Sequence, residues 1–118
     1  YYIELWGNVM SNIIGEINFE RLNSLEDKLI YVKNLNKKAE FEQALHFYFI
    51  LKEKFEQQAK HDKVMECLSG ICQSLGNLGR VNEIEMYLSE YKTYCEKYGD
   101  DLAILKLNMM IVLMLLIN

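Results

Sequence analysis

Residues 64–99 read VMECLSGICQSLGNLGRVNEIEMYLSEYKTYCEKYG, and their apolar residues recur every three or four positions. This spacing places apolar side chains on one face of an α-helix, so the pattern predicts two amphipathic helices. Gly79 interrupts the pattern and Gly99 ends it, because glycine is a common residue where a helix stops. We therefore expect a helical hairpin over residues 62–98 with a very short turn.

The same plan extends to both sides of this hairpin. Upstream, residues 24–60 contain two further apolar runs separated by a polar segment, which predicts a first hairpin. Downstream, residues 100–118 fit the first helix of an incomplete third hairpin, and residues 1–22 fit an N-terminal helix or cap. No alternation with a period of two persists, so we expect one all-α domain of about six helices with a repeat of about 38–40 residues.

The composition narrows the class of protein. The chain has 118 residues, no proline, 51% hydrophobic residues and a net charge of −4, which is typical of one globular domain and too hydrophobic for a disordered tail. The 13 Lys and Arg residues are outnumbered by 17 Asp and Glu residues, so we expect no direct contact with nucleic acid. The 3 cysteines have no paired spacing, which favours a reducing compartment and predicts a cytoplasmic protein.

The C-terminal residues form an unusually apolar segment. The apolar run over residues 109–117 is unbroken, but it is far shorter than the roughly 18 residues that a membrane-spanning helix needs. We therefore expect no membrane segment, and instead a helix that needs a cover. This predicts a homodimer through Leu102 to Ile117, or a partner chain there. Because the chain starts with Tyr1-Tyr2 and not with methionine, we expect a piece of a longer protein.

No motif in the sequence predicts catalysis or metal binding. His46 and His61 each lack a histidine or cysteine four residues away, so neither begins a metal site on a helix. Gly70, Gly76 and Gly79 follow no predicted strand and precede no Gly-Lys-Ser/Thr, so they do not form a phosphate loop. We therefore expect no catalytic residue, no cofactor and no metal ion, and a protein that is not an enzyme.

Residues 68–91 follow a particular order of large, small and acidic residues across the two helices. That order is carried by Leu68, Ile71, Cys72, Leu75, Leu78-Gly79, Glu83-Ile84, Leu88 and Tyr91. It resembles the tetratricopeptide repeat, although Ile84 and Tyr91 are bulkier than is usual in that family and no proline closes the unit. The resemblance covers residues 24–117, with one complete unit and two partial ones. It implies a right-handed stack of antiparallel helical hairpins, which is an α-solenoid.

In the family that these residues resemble, the first helix of each hairpin lines a concave surface that binds peptides or proteins. The resemblance therefore implies a non-catalytic protein- or peptide-binding module. The candidate groove residues are Lys33, Asn36, Lys37, Glu66, Ser69, Gln73 and Asn77. Leu29, Gly70 and Gln73 depart from the pattern of the subset that clamps a C-terminal carboxylate. An alternative is the peptide-sensing repeat domain of a bacterial transcriptional or response regulator, which the Asn-, Lys-, Ile- and Tyr-rich composition resembles.

Overall fold

The computed structural model describes residues 2–117, apart from the side chain of Ile117. Tyr1 and Asn118, the outermost residues of the predicted cap and third hairpin, lie outside the described residues, as does the Ile117 side chain of the predicted dimer surface. Residues 2–117 form no strand and fold into helices α1 (Tyr2–Arg21), α2 (Leu25–Lys37), α3 (Phe41–Gln57), α4 (His61–Asn77), α5 (Val81–Tyr98) and α6 (Asp101–Ile117). The prediction of an all-α fold with about six helices is confirmed.

The helices are arranged as stacked hairpins in two rows. Helices α2 and α3 form one hairpin, α4 and α5 form the next, and α3 packs on α4 to join them. We call α2, α4 and α6 the inner row, because α4 contacts both α2 and α6. Helices α1, α3 and α5 form the outer row, where Phe19 of α1 stacks on Phe47 of α3 and Phe49 of α3 meets Tyr87 of α5.

Three turns of the same geometry join α2 to α5. Each turn has a central residue with positive φ, namely Ala39 (64°), Ala59 (54°) and Gly79 (72°). Each also has a backbone hydrogen bond that spans five residues, as from Glu40 N to Leu35 O at 3.0 Å, which is the Schellman pattern at a helix C-terminus. Because the turns leave only three residues between helices, neighbouring helices run antiparallel.

The hydrophobic core lies along the contact between α3 and α4. Eight apolar side chains from these two helices have no solvent exposure, namely Ala44, Leu51, Phe55, Val64, Cys67, Leu68, Ile71 and Leu75. The spacing of these residues matches the period of a helix, so each helix presents them as one continuous stripe. The stripe holds the two hairpins together and fixes the positions of α2 and α4 in the inner row.

Side-chain caps set where two of the helices begin. The Ser24 hydroxyl accepts a hydrogen bond from Asp27 N at 3.0 Å, so α2 begins at Leu25. A carboxylate oxygen of Asp100 accepts a hydrogen bond from Ala103 N at 2.9 Å at the start of α6. The last junction differs from the three others because Gly99 has a φ of −80° and an extended conformation. Helix α6 therefore joins the inner row through a different turn.

Candidate binding groove

A groove with a volume of about 960 Å³ runs along the inner row. Residues of α2 and α4 line one part of it, and residues of α6 line another. All seven residues that the sequence resemblance implied lie on its wall, namely Lys33, Asn36, Lys37, Glu66, Ser69, Gln73 and Asn77. The structure therefore brings the whole predicted set together on one surface. What this surface binds stays a prediction.

An ion-pair cluster joins α2 to α4 within the groove. Lys33 Nζ lies 2.8 Å from Glu66 Oε1, and Lys63 Nζ lies 3.2 Å from Glu66 Oε2. Burial opposes ionisation of Glu66, but the hydrogen bonds from Lys33 and Lys63 outweigh it and lower the pKa of this carboxyl below its usual value. Glu66 is therefore ionised at neutral pH, and much of its charge is neutralised by groups of the same chain.

A second set of contacts satisfies amide groups further along the same two helices. Asn36 Nδ2 donates a hydrogen bond to Gln73 Oε1 at 3.4 Å. The buried Ser74 hydroxyl donates to Asn36 Oδ1 at 3.2 Å, so Asn36 uses both ends of its amide within the protein. Four of the seven predicted residues, Lys33, Asn36, Glu66 and Gln73, thus contact one another across α2 and α4.

Two lysines of the groove remain available to a ligand. Among the described residues, neither Lys37 on α2 nor Lys106 on α6 forms an ion pair. The groove is lined by the four lysines 33, 37, 63 and 106 and by the three carboxylates of Asp62, Glu66 and Asp100. Its net charge is therefore slightly positive, although the whole chain carries −4.

The α6 side of the groove is apolar and rich in methionine. It includes Met109, Met110, Leu113 and Met114, and Met65 of α4 lines the groove as well. Four of the six methionines of the chain thus lie in the groove. Methionine side chains are unbranched and polarisable, so such a surface adapts to apolar side chains of different shapes.

Two tyrosines lie beneath the polar residues of the groove. Tyr48 of α3 and Tyr91 of α5 are both 2% exposed, and each reaches the groove from the outer row. Burial raises the pKa of each phenol to about 12, so both rings stay neutral. Gly70 makes room for the ring of Tyr48, because a Cβ at position 70 would lie only 2.2 Å from Tyr48 Cζ.

The sequence did not predict that α6 forms one side of the groove or that Tyr48 and Tyr91 lie beneath it. Helix α6 is apolar on nearly all sides, so its pattern does not say which side faces the groove. Tyr48 and Tyr91 belong to the regular spacing of core residues, and sequence alone gives no sign that the groove reaches them. A usable signal was the clustering of methionines at positions 109, 110 and 114.

The described cysteines and histidines are either buried or in contact with a neighbouring side chain. Burial raises the pKa of the Cys67 and Cys72 thiols to about 12, so both remain protonated and are poor nucleophiles. His61 stacks on Tyr98 with a centroid distance of 3.6 Å, and His46 lies 2.7 Å from Glu16 outside the groove. No group of three His, Cys, Asp or Glu residues able to hold a metal ion occurs within residues 2–117.

Neither the protein-family models nor the curated proteins nor the solved structures give a match. The resemblance to the tetratricopeptide repeat therefore remains a prediction from the residues quoted above. Among the helices described here, none combines the length and the apolar character that crossing a membrane requires.

Proposed function

We propose that the chain is a non-catalytic interaction module that binds a peptide or protein segment in the groove between α2, α4 and α6. The observation that supports this function is the combination of surfaces in that groove. A polar strip on α2 and α4 lies beside a methionine-rich wall on α6, and Lys37 and Lys106 carry charges that no ion pair within residues 2–117 neutralises. These features suit a segment with apolar side chains and a carboxylate.

The size and openness of the groove agree with an extended or helical segment as the ligand. Its volume of about 960 Å³ lies at the upper end of the range of about 300–1,000 Å³ for small-molecule sites, and residues of α2, α4 and α6 line it. Binding along an inner row of helices is also what the tetratricopeptide resemblance implies. Since three buried free thiols are best preserved in a reducing compartment, we place this function in the cytoplasm.

A random-peptide display library, panned on the folded chain, provides the probe for this function. We expect enrichment of peptides that carry apolar residues and an acidic residue. The variant Gln73→Trp places a large ring on the exposed side of α4 inside the groove and should weaken the selected peptides about tenfold, or about 1.4 kcal/mol. The matched control Glu53→Trp adds the same ring at an exposed position of α3 that does not line the groove.

The two variants together separate a groove ligand from general adhesion to the protein. Equal binding by Gln73→Trp, Glu53→Trp and the unmodified chain would show that the selected peptides bind elsewhere. A library that yields no enriched peptide would also contradict the proposed function. Lys106→Gln is expected to reduce binding of acidic peptides and to leave binding of their amide counterparts unchanged.

A further inference from the structure

The Tyr48 side chain starts in the outer row and ends in the groove. Tyr48 lies on α3, yet it lines the groove together with residues of α2 and α4. Its ring passes over Gly70 of α4, where a Cβ would overlap Cζ and both Cε carbons of the ring. Cζ is the ring carbon that carries the hydroxyl. The hydroxyl end of the ring therefore meets α4 at the one place where the neighbouring residue has no side chain.

The Tyr48 hydroxyl has no hydrogen-bond partner in the part of the chain that the structure describes. The side chain is 2% exposed, and no hydrogen bond to its oxygen occurs among residues 2–117. Within the same residues, fully buried side-chain nitrogen and oxygen atoms without a partner occur only in His61 and Glu66, so the Tyr48 oxygen keeps some exposure. Because Tyr48 lines the groove, the groove is where a ligand can reach this oxygen.

The second tyrosine beneath the groove differs in this respect. Tyr91 is also 2% exposed, but its hydroxyl interacts with the side chains of Ser69 and Cys95. A buried hydroxyl without a partner is uncommon, because leaving it unpaired costs free energy. Tyr48 therefore supplies an unused donor at the floor of the groove.

The residues on either side of Gly70 link α2 to α4. One turn earlier, Glu66 Oε1 lies 2.8 Å from Lys33 Nζ. Nearly one turn later, Gln73 Oε1 accepts a hydrogen bond from Asn36 Nδ2 at 3.4 Å. The phenol thus meets the groove between an ion pair and an amide pair. We call this place, with the unpaired phenol hydroxyl at its centre, the tyrosine site.

The charges around the tyrosine site disfavour an ionic ligand group of either sign. After burial and Cys67, the negative charge of Glu66 also raises the pKa of Tyr48, so the same charge would repel an anion bound to this hydroxyl. Lys33 and Lys63 contact Glu66 at 2.8 and 3.2 Å and would repel a cation there. A neutral group with an acceptor oxygen avoids both repulsions. In peptides, the amide carbonyl is such a group.

We propose that the tyrosine site binds an amide group of the segment in the groove, whose carbonyl oxygen accepts a hydrogen bond from the Tyr48 hydroxyl. The inference rests on the proposed function, because it assigns one contact of the same ligand. The main chain of a peptide carries this group at every peptide bond, and asparagine and glutamine side chains carry it as well. The apolar side chains of the segment then contact the methionine-rich wall of α6.

The substitution Tyr48→Phe tests the contact because it removes one oxygen and keeps the ring over Gly70. The urea midpoint should not fall, since the hydroxyl has no partner within the described residues. The Kd of the peptides selected from the display library should rise about three- to tenfold, as expected for the loss of one hydrogen bond. The matched control Tyr87→Phe removes the same atom from a residue that does not line the groove, and its Kd should equal that of the unmodified chain. Isothermal titration calorimetry measures all three affinities.

Changes in the selected peptides identify the source of the carbonyl. Each asparagine and glutamine of a peptide is replaced by alanine in turn, and Kd is measured with the unmodified chain and with Tyr48→Phe. If one replacement abolishes the difference between the two chains, a side-chain amide occupies the tyrosine site. If the difference persists through every replacement, a main-chain carbonyl occupies it. Either result supports an amide as the ligand group.

Three small probes of similar size test the tyrosine site without any peptide. N-methylacetamide, acetate and methylammonium are each titrated into the isotope-labelled chain, and the backbone amide signals at Gly70 and its neighbours are followed by NMR. We expect N-methylacetamide to shift these signals saturably in the unmodified chain and in Tyr87→Phe, and far less in Tyr48→Phe. If the library yields no peptide but this pattern is found, the proposed function fails and the tyrosine site stands.

Three other outcomes would overturn the inference. Selected peptides that bind Tyr48→Phe as tightly as the unmodified chain would remove the amide contact and leave the proposed function intact. A urea midpoint that falls in Tyr48→Phe and not in Tyr87→Phe would show that the hydroxyl has a partner within the protein. Saturable shifts at Gly70 that are larger with acetate or methylammonium than with N-methylacetamide would show that the site takes an ionic group.

Discussion

The residue with positive φ in each turn affects the free energy of unfolding. This residue is alanine in two of the turns and glycine in the third. Ala39 and Ala59 have φ values of 64° and 54° in turns that match the one around Gly79. An L-residue in this left-handed conformation is strained by about 1–2 kcal/mol because its Cβ approaches the following carbonyl oxygen. Glycine has no Cβ and escapes this strain, but it also adds freedom to the unfolded chain, which offsets about 0.4–1 kcal/mol of the gain.

We therefore predict that Ala39→Gly and Ala59→Gly each raise the free energy of unfolding by about 0.5–1 kcal/mol. The reciprocal change Gly79→Ala should lower it by about 1 kcal/mol, because nothing lies within 4 Å of a Cβ there and the backbone alone opposes the substitution. Urea titration followed by circular dichroism measures all three. A loss of stability in both alanine variants would show that these turns do not hold the left-handed conformation.

At the scale of the helices, the crossing of α3 and α4 depends on one close contact. A Cβ at Gly70 would lie 2.2–2.6 Å from three ring carbons of Tyr48, a rigid side chain that is 2% exposed. We predict that Gly70→Ala lowers the free energy of unfolding by about 1–3 kcal/mol, because the added methyl group forces the two helices apart. Urea titration at one protein concentration measures the change.

Gly76→Ala is the matched control for that prediction because it lies in the same helix. Its Cβ would meet only Ile84 Cδ1 at an ordinary 3.8 Å, so the helix propensity of alanine should stabilise the fold by up to about 1 kcal/mol. Equal effects of the two substitutions would mean that Tyr48 moves aside freely. The close packing of α3 on α4 would then not require a glycine at position 70.

The helices could be predicted from the sequence where their buried residues recur with the helical period on one side. Helices α4 and α5 follow from the spacing of residues such as Ile71, Leu75 and Tyr91, all of which are buried. The polar segment between the two apolar runs marks the turn at Ala39, which lies 20 and 40 residues before Ala59 and Gly79, although alanine itself favours helix.

The groove was predictable only in part for a similar reason. The polar positions on α2 and α4 follow from the repeat, but the link between Lys33 and Glu66 depends on how the two helices pack together. The α6 wall is also a tertiary feature, since an all-apolar helix has no preferred face in its sequence. The sequence thus predicts which positions lie on one side of a helix. It predicts less readily which residues of other helices those positions contact.

At the scale of the whole molecule, the chain is a flat stack and not a sphere. Its extents are 47 × 36 × 19 Å, and its radius of gyration of 15.1 Å exceeds the roughly 13.5 Å expected for a compact domain of this length. In such a stack each helix contacts mainly its neighbours, so stability should fall from the middle towards both ends. Helices α3 and α4 have neighbours on both sides, whereas residues 3–10 of α1 are all exposed.

Native-state hydrogen exchange should therefore show a gradient along the stack. We predict that amides in the middle of α4, around Leu68 and Ile71, exchange only through global unfolding, because their helix is covered on both sides. Amides of residues 3–10 should exchange through local fraying, with far lower protection, because all of these residues are exposed. Equal protection of residues 3–10 and α4 would contradict the gradient, since it would require the whole molecule to unfold as one unit.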